Sequence, residues 1–177
     1  MLERLREFMG NLKKTKLEFE YGNKIYCSDE EIEALKNLFG SIEKFVDYIN
    51  NHILYQSLKL HYMTSGTPHN HLLGAIYQFE QSKTEIAEKD SAYSKLLKYI
   101  KNNLQEQIKN MENILREFIK MHNKLERNIK DLKTISGQKN TKLQIFLNDI
   151  LKYDKRSIDD CQKSIKEGKG LLLSENN

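Results

Sequence analysis

Tryptophan is absent from this chain, and proline occurs once in 177 residues, at Pro68. Eight glycines complete a short inventory of backbone breakers. A chain so poor in breakers and rich in Leu, Lys, Glu, Ile and Asn reads as all-α. The two cysteines, Cys27 and Cys161, are too few for a disulfide framework and lack the spacing of a metal site. Unpaired thiols fit a reducing compartment. No apolar run approaches the ~18 residues of a bilayer-spanning helix, and the first nine residues are charged throughout, without the apolar core of a secretory signal. The expectation is a cytoplasmic, single-domain protein with at most a peripheral membrane association.

What the chain does contain is periodicity. Tyr93, Leu97, Ile100, Leu104, Ile108, Met111, Leu115, Phe118, Met121, Leu125, Ile129 and Leu132 alternate steps of three and four, with mostly Lys, Arg, Glu, Asn and Gln between them. That is one stripe on a helix about 60 Å long at ~1.5 Å per residue. A second stripe runs from Ile32 through Leu35, Phe39, Ile42, Val46, Ile49 and Ile53 to Leu60, behind the capping box Ser28-Asp29-Glu30-Glu31. Thr64 to Pro68 breaks it, with Thr67 as N-cap and Pro68 at the first position of the next helix. That helix turns Leu72, Leu73, Ile76, Phe79 and Ile86 inward.

After an interruption at Ser136-Gly137, a last helix carries Leu143, Phe146, Leu147, Ile150, Tyr153, Ile158, Cys161 and Ile165 inward and fades at Gly168-Lys169-Gly170. The segment 1–20 reads as an amphipathic helix ended by Tyr21-Gly22-Asn23, residues 21–170 as the helical bundle, and residues 171–177 as a frayed tail. No strand-type alternation is long enough to interrupt this all-α reading. The hydrophobic content, 38%, is low for a compact globule, a deficit that narrow stripes on elongated helices, or burial shared with a second copy, would explain.

Catalytic constellations are missing. His52, His61, His69, His71 and His122 never follow a Glu by three residues, the spacing of metal sites in bundles, and they read as surface or core-edge residues. No Gly-rich phosphate loop, nucleophile elbow or placed catalytic cysteine occurs. The reading is non-enzymatic, without cofactor or metal.

Charge is uneven along the sequence. Residues 1–90 hold 11 Lys/Arg against 14 Asp/Glu, and residues 91–177 hold 18 against 11. Lys120, Lys124, Arg127, Lys130 and Lys133 recur at helical spacing, and Lys139 and Lys142 follow. Lys13, Lys14 and Lys16 flank the N-terminal segment, whose apolar face is Leu2, Leu5, Phe8 and Met9. The asymmetry points to a polyanion. Base readers interleave aromatics or present a compact recognition helix. Neither occurs here, so an anionic membrane fits better than nucleic acid.

This layout resembles a BAR domain, the dimer of long helices that binds curved membranes. The resemblance is one of pattern over roughly residues 21–166. Glu31 to Phe45 is similar to the family's first core helix and Leu73 to Phe79 to its later part. Ile114 to Phe118 and Leu125 to Lys130 resemble the second helix near its basic end. Residues 2–16 stand where amphiphysin-like members keep an inserting helix. Pro68 and the short third helix depart from that pattern.

The resemblance implies an elongated, antiparallel, coiled-coil-like bundle, a homodimer that scaffolds anionic membranes. Lys13, Lys14, Lys16, Lys120, Lys124, Arg127, Lys130, Lys133, Lys139 and Lys142 would then bind lipid phosphates, with Leu2, Leu5, Phe8 and Met9 inserted. The alternative is a helical protein-interaction module, a tether or inhibitor, with no membrane role.

Overall fold

A computed structural model describes residues 14–20, 22–84 and 91–174. Helices make up 80% of the described residues. In chain order the elements are β1 (Thr15–Glu18), β2 (Lys24–Cys27), α1 (Asp29–Phe39), α2 (Ile42–Lys59), α3 (Pro68–Thr84), α4 (Ser91–Ser136) and α5 (Lys142–Leu173). They form two compact units, one of residues 1–54 and 121–153, the other of residues 55–120 and 154–177.

The first unit opens with a hairpin where the sequence suggested helix. β1 pairs antiparallel with β2, Thr15 opposite Cys27 and Leu17 opposite Ile25. Gly22, at φ 82°, lies in the turn between them, where the Phe19 N–H donates to the Asn23 carbonyl at 3.0 Å. Gly22-Asn23 therefore turns a hairpin rather than ending a helix. Leu17, Phe19, Ile25 and Cys27 are buried, a period of two that the helical reading of the preceding segment overran.

Beyond the hairpin, the Ser28 capping box forms as expected: Ser28 Oγ accepts from Glu31 N and a Glu31 carboxylate oxygen accepts from Ser28 N. The stripe expected to run unbroken to Leu60 is cut at Gly40, which caps α1 at φ 84°, while Ser41 accepts from Lys44 N at the start of α2. Apolar residues sit on both sides of this cut, which hides it from a periodicity count. Phe19, Phe39, Phe45 and Phe146 meet around this core with ring centroids 4.9–6.1 Å apart. The α4 residues Leu125, Ile129 and Leu132 are buried in the same cluster.

A short loop joins α4 to α5. Thr141 Oγ1 donates to Glu31 and accepts from Gln144 N, so one hydroxyl joins the capping box of α1 to the first turn of α5. Gln144 holds both sides of the loop, accepting from Asn140 N and donating to the Gln138 carbonyl, and Gln138 in turn donates to Glu30.

In the second unit α3 begins as expected: Thr67 Oγ1 accepts from Asn70 N, and Pro68 occupies the first helical position. The α4 residues Leu104, Ile108, Met111, Leu115 and Phe118 are buried within the single chain. That part of the stripe has its cover without a second copy. α5 brings Ser157, Cys161 and Ser164 to the interior, four and three residues apart. Gln56 Nε2 donates to Ser157 Oγ at 2.8 Å. His69 Nδ1 lies 2.8 Å from the Leu60 carbonyl and 3.4 Å from Cys161 Sγ, and Nε2 lies 2.9 Å from Ser164 Oγ.

Three further expectations are corrected. His52 and His69 are each only 1% exposed, deeper than the surface or core-edge positions expected of the histidines. Tyr153 is 49% exposed, because the buried register of α5 passes from Ile150 to Asp154 and Ser157. α5 does not fade at Gly168 but continues to Leu173. The glycine has a packing reason: a Cβ there would stand 3.0 Å from Ile108 Cδ1 and 3.4 Å from Leu104 Cδ1. Lys169 adds an ion pair with Glu112 at 2.5 Å.

Candidate interaction groove

An apolar concavity lies in the second unit between α4 and α5, with a volume of about 660 Å³. Its walls repeat one spacing. α4 contributes Glu112, Leu115, Arg116 and Ile119, and α5 contributes Gln162, Ile165, Lys166 and Lys169, each set at i, i+3, i+4 and i+7. This is the spacing of one helix face, so two helices lying side by side leave a trough between them. Leu115 and Ile165 are its buried floor, and Leu173, 67% exposed, stands at its edge. Past Gly168, where the helices touch, Gly170 leaves open space.

Polar groups are confined to the rim. The single carboxylate there, Glu112, is taken by Lys169, whereas Arg116 and Lys166 have no ion-pair partner among the described residues. The volume is that of a binding cleft, here an open apolar trough with basic edges. Among the described residues no three His, Cys, Asp or Glu side chains come together as a metal site. Both thiols are pushed up to about 12, chiefly by burial, so neither is a ready nucleophile.

The expected membrane-contact residues are dispersed. Leu2, Leu5, Phe8, Met9 and Lys13 lie outside the described residues. Lys14 precedes β1, and Lys16 on β1 pairs with Glu18, which raises the lysine's pKa and lowers the carboxylate's. On α4, Lys120 pairs with Glu117 at 2.9 Å and Lys130 with Glu126 at 3.6 Å. Lys124 Nζ sits 5.6 Å over the Tyr48 ring, and Arg127 Nε donates to the Asn123 carbonyl. Lys120, Lys124, Arg127, Lys130, Lys133, Lys139 and Lys142 are all exposed, but they do not share one helix face. At 3.6 residues per turn Lys133 falls roughly 180° around α4 from Lys124.

The charge asymmetry between sequence halves is divided differently between the two units. Each unit draws on both halves. Among the described residues the first holds 12 Lys/Arg against 11 Asp/Glu and the second 13 against 8, a net of +1 and +5.

The groove itself was missed in the sequence, because Arg116, Lys166 and Lys169 read as ordinary solvated lysines and arginines. The available signal was apolar residues at helical spacing on two helices, Leu115/Ile119 four apart and Ile165/Leu173 eight apart, with glycines beside the second. No family model, curated protein or solved structure matches the chain.

Proposed function

We propose that the protein is a non-enzymatic helical interaction module that receives a partner helix in the α4/α5 groove. One observation carries this reading: an open apolar trough floored by Leu115 and Ile165 and edged by the two-thirds-exposed Leu173. Apolar trenches between helices recognise amphipathic helices through anchors at helical spacing. From Glu112 to Ile119 is about 10 Å of α4, and from Gln162 to Leu173 about 16 Å of α5, at ~1.5 Å per residue. That accommodates two to three turns of a guest.

The test is a titration of methyl-labelled protein with amphipathic helical peptides that share one apolar register and differ in charge. Saturable shifts at Leu115, Ile119, Ile165 and Leu173, weakened by Ile119→Ser, are expected. Titrations that leave these methyls unmoved by every peptide sink the reading.

A second reading is supported by a different observation, the exposure of Lys124, Arg127, Lys133, Lys139 and Lys142 beside Ile135 and Ile145, which are 48% and 52% exposed. It makes the chain a BAR-like scaffold on anionic membranes: an elongated antiparallel bundle, homodimeric, with lysines on lipid phosphates at ~1 kcal/mol each. The winding of the basic residues around α4 favours the first reading.

A further inference from the structure

We infer that the partner of the α4/α5 groove is a protein helix with acidic flanks, an inference that rests on the groove being a docking site. The rim carries Arg116, Lys166 and Lys169 against one carboxylate, Glu112, and Lys169 already neutralises that carboxylate at 2.5 Å. Two cations remain, both exposed. The register that sets Glu112 against Lys169 carries Arg116, four residues on, to the level of Lys166, three residues back. The two free charges therefore stand at one level of the trough, where a carboxylate on a guest helix meets both.

Charge also argues against the other occupants. A second copy of this chain docked face to face would bring an Arg116/Lys166 rim towards another, with its own Glu112 engaged. A single acyl chain needs enclosure, and this trough is open to solvent along one side. A guest helix covers an open trough by completing a three-helix layer, with its apolar residues on Leu115, Ile119 and Ile165 and its acidic residues over the rim. The rim pairs would act mainly on specificity and association rate, since exposed charges are screened by salt.

Three synthetic peptides with identical apolar residues at i, i+4 and i+7, flanked by Glu, Gln or Lys, test this by fluorescence anisotropy against the full chain. The Glu peptide is expected to bind about tenfold tighter than the Gln peptide at low salt, a difference of about 1.4 kcal/mol, and the Lys peptide weakest. The preference should shrink as salt rises. R116E/K166E should reverse the ranking, and R116Q/K166Q should flatten it, both with unchanged circular dichroism. Equal binding of the Glu and Gln peptides, or a ranking indifferent to the rim variants, overturns the acidic partner while leaving a docking groove. Binding of none of the three, with groove methyls unmoved, removes the groove reading itself. Anionic vesicles that displace the Glu peptide from the groove would assign the rim to lipid and also overturn the proposal.

Discussion

At the residue scale the most consequential cluster is buried in the second unit. His69 is 1% exposed and uses both ring nitrogens, Nδ1 at 2.8 Å from the Leu60 carbonyl and Nε2 at 2.9 Å from Ser164 Oγ. The Nδ1–H donates to the Leu60 carbonyl, while Ser164 Oγ, beside Nε2, donates to the Asp160 carbonyl at 3.1 Å. The Leu60 carbonyl follows the last residue of α2, where helical carbonyls lack partners in their own helix, so the imidazole acts as a side-chain cap. His69→Ala leaves that carbonyl only the weak Cys161 thiol donor at 4.0 Å and should cost about 2 kcal/mol, read as a lower urea midpoint with an unchanged slope. A midpoint within error of the wild type would make the cluster incidental. The neighbouring thiol gives a separate readout. Burial raises Cys27 and Cys161 from 9.0 to about 12, so the unfolded chain ionises first as pH rises. Stability contributed by keeping these thiols neutral is complete below pH 9 and declines from 9 towards 12. Both thiols should resist a thiol reagent in the native protein and react fully in urea.

At the element scale, long periodic stretches and caps were legible, and short or interrupted ones were not. The end of α4 at Ser136, the Ser28 capping box and Pro68 at the head of α3 follow from local chemistry strong enough to read directly. The hairpin was lost because Leu17, Phe19, Ile25 and Cys27 offer only four alternating positions, fewer than a helical register needs to be overruled. The break at Gly40 was lost because apolar spacing continues across it, yet its φ of 84° is the local signal that decides. Two glycines test this logic in opposite directions. Gly40→Ala forces a side chain into the left-handed region and should destabilise by about 1 kcal/mol. Gly74→Ala, inside α3 with nothing within 4 Å of the added Cβ, should stabilise by about 1 kcal/mol through helix propensity. Thermal melts that move the same way for both would contradict the assigned backbone. The helix starts add a pH dependence. Glu30 and Glu43 have lowered pKa values, first from backbone N–H groups at the N-termini of α1 and α2 and then from Ser28 and Ser41. Their contribution is present above the ordinary carboxylate value of 4.5 and is lost as pH falls through their lower folded values. Acid melting curves of E30Q/E43Q should accordingly be flatter than the wild type's below that value.

At the scale of the whole molecule, the sequence and the fold distribute charge differently, and that difference decides how a membrane role is tested. Read linearly, the second half is a polycation at +7. Gathered into units, the described residues come to +1 in the first and +5 in the second, with Glu117 and Glu126 within 4 Å of Lys120 and Lys130. Exposed pairs of this kind are worth little as stabilisation, but they lower the potential that a distant anionic surface meets. The screening length is ~8 Å at physiological salt, so attachment by the remaining lysines requires close approach of Lys124, Arg127, Lys133, Lys139 and Lys142 to lipid. If the protein scaffolds membranes, anionic liposomes should sediment it at low salt, and physiological salt should release most of it. K124E/R127E/K130E/K133E, which leaves Leu125, Ile129 and Leu132 buried and the circular dichroism helical, should abolish sedimentation at both salts. Light-scattering mass on the same samples must give twice the 20.9 kDa chain for the dimeric scaffold. The α4 segment from Leu104 to Phe118 is already covered within one chain, so a groove-binding module predicts 20.9 kDa and indifference to liposomes. Liposome binding that survives the four reversals would contradict both accounts of the basic residues, and would move the search to apolar surface such as Ile135 and Ile145.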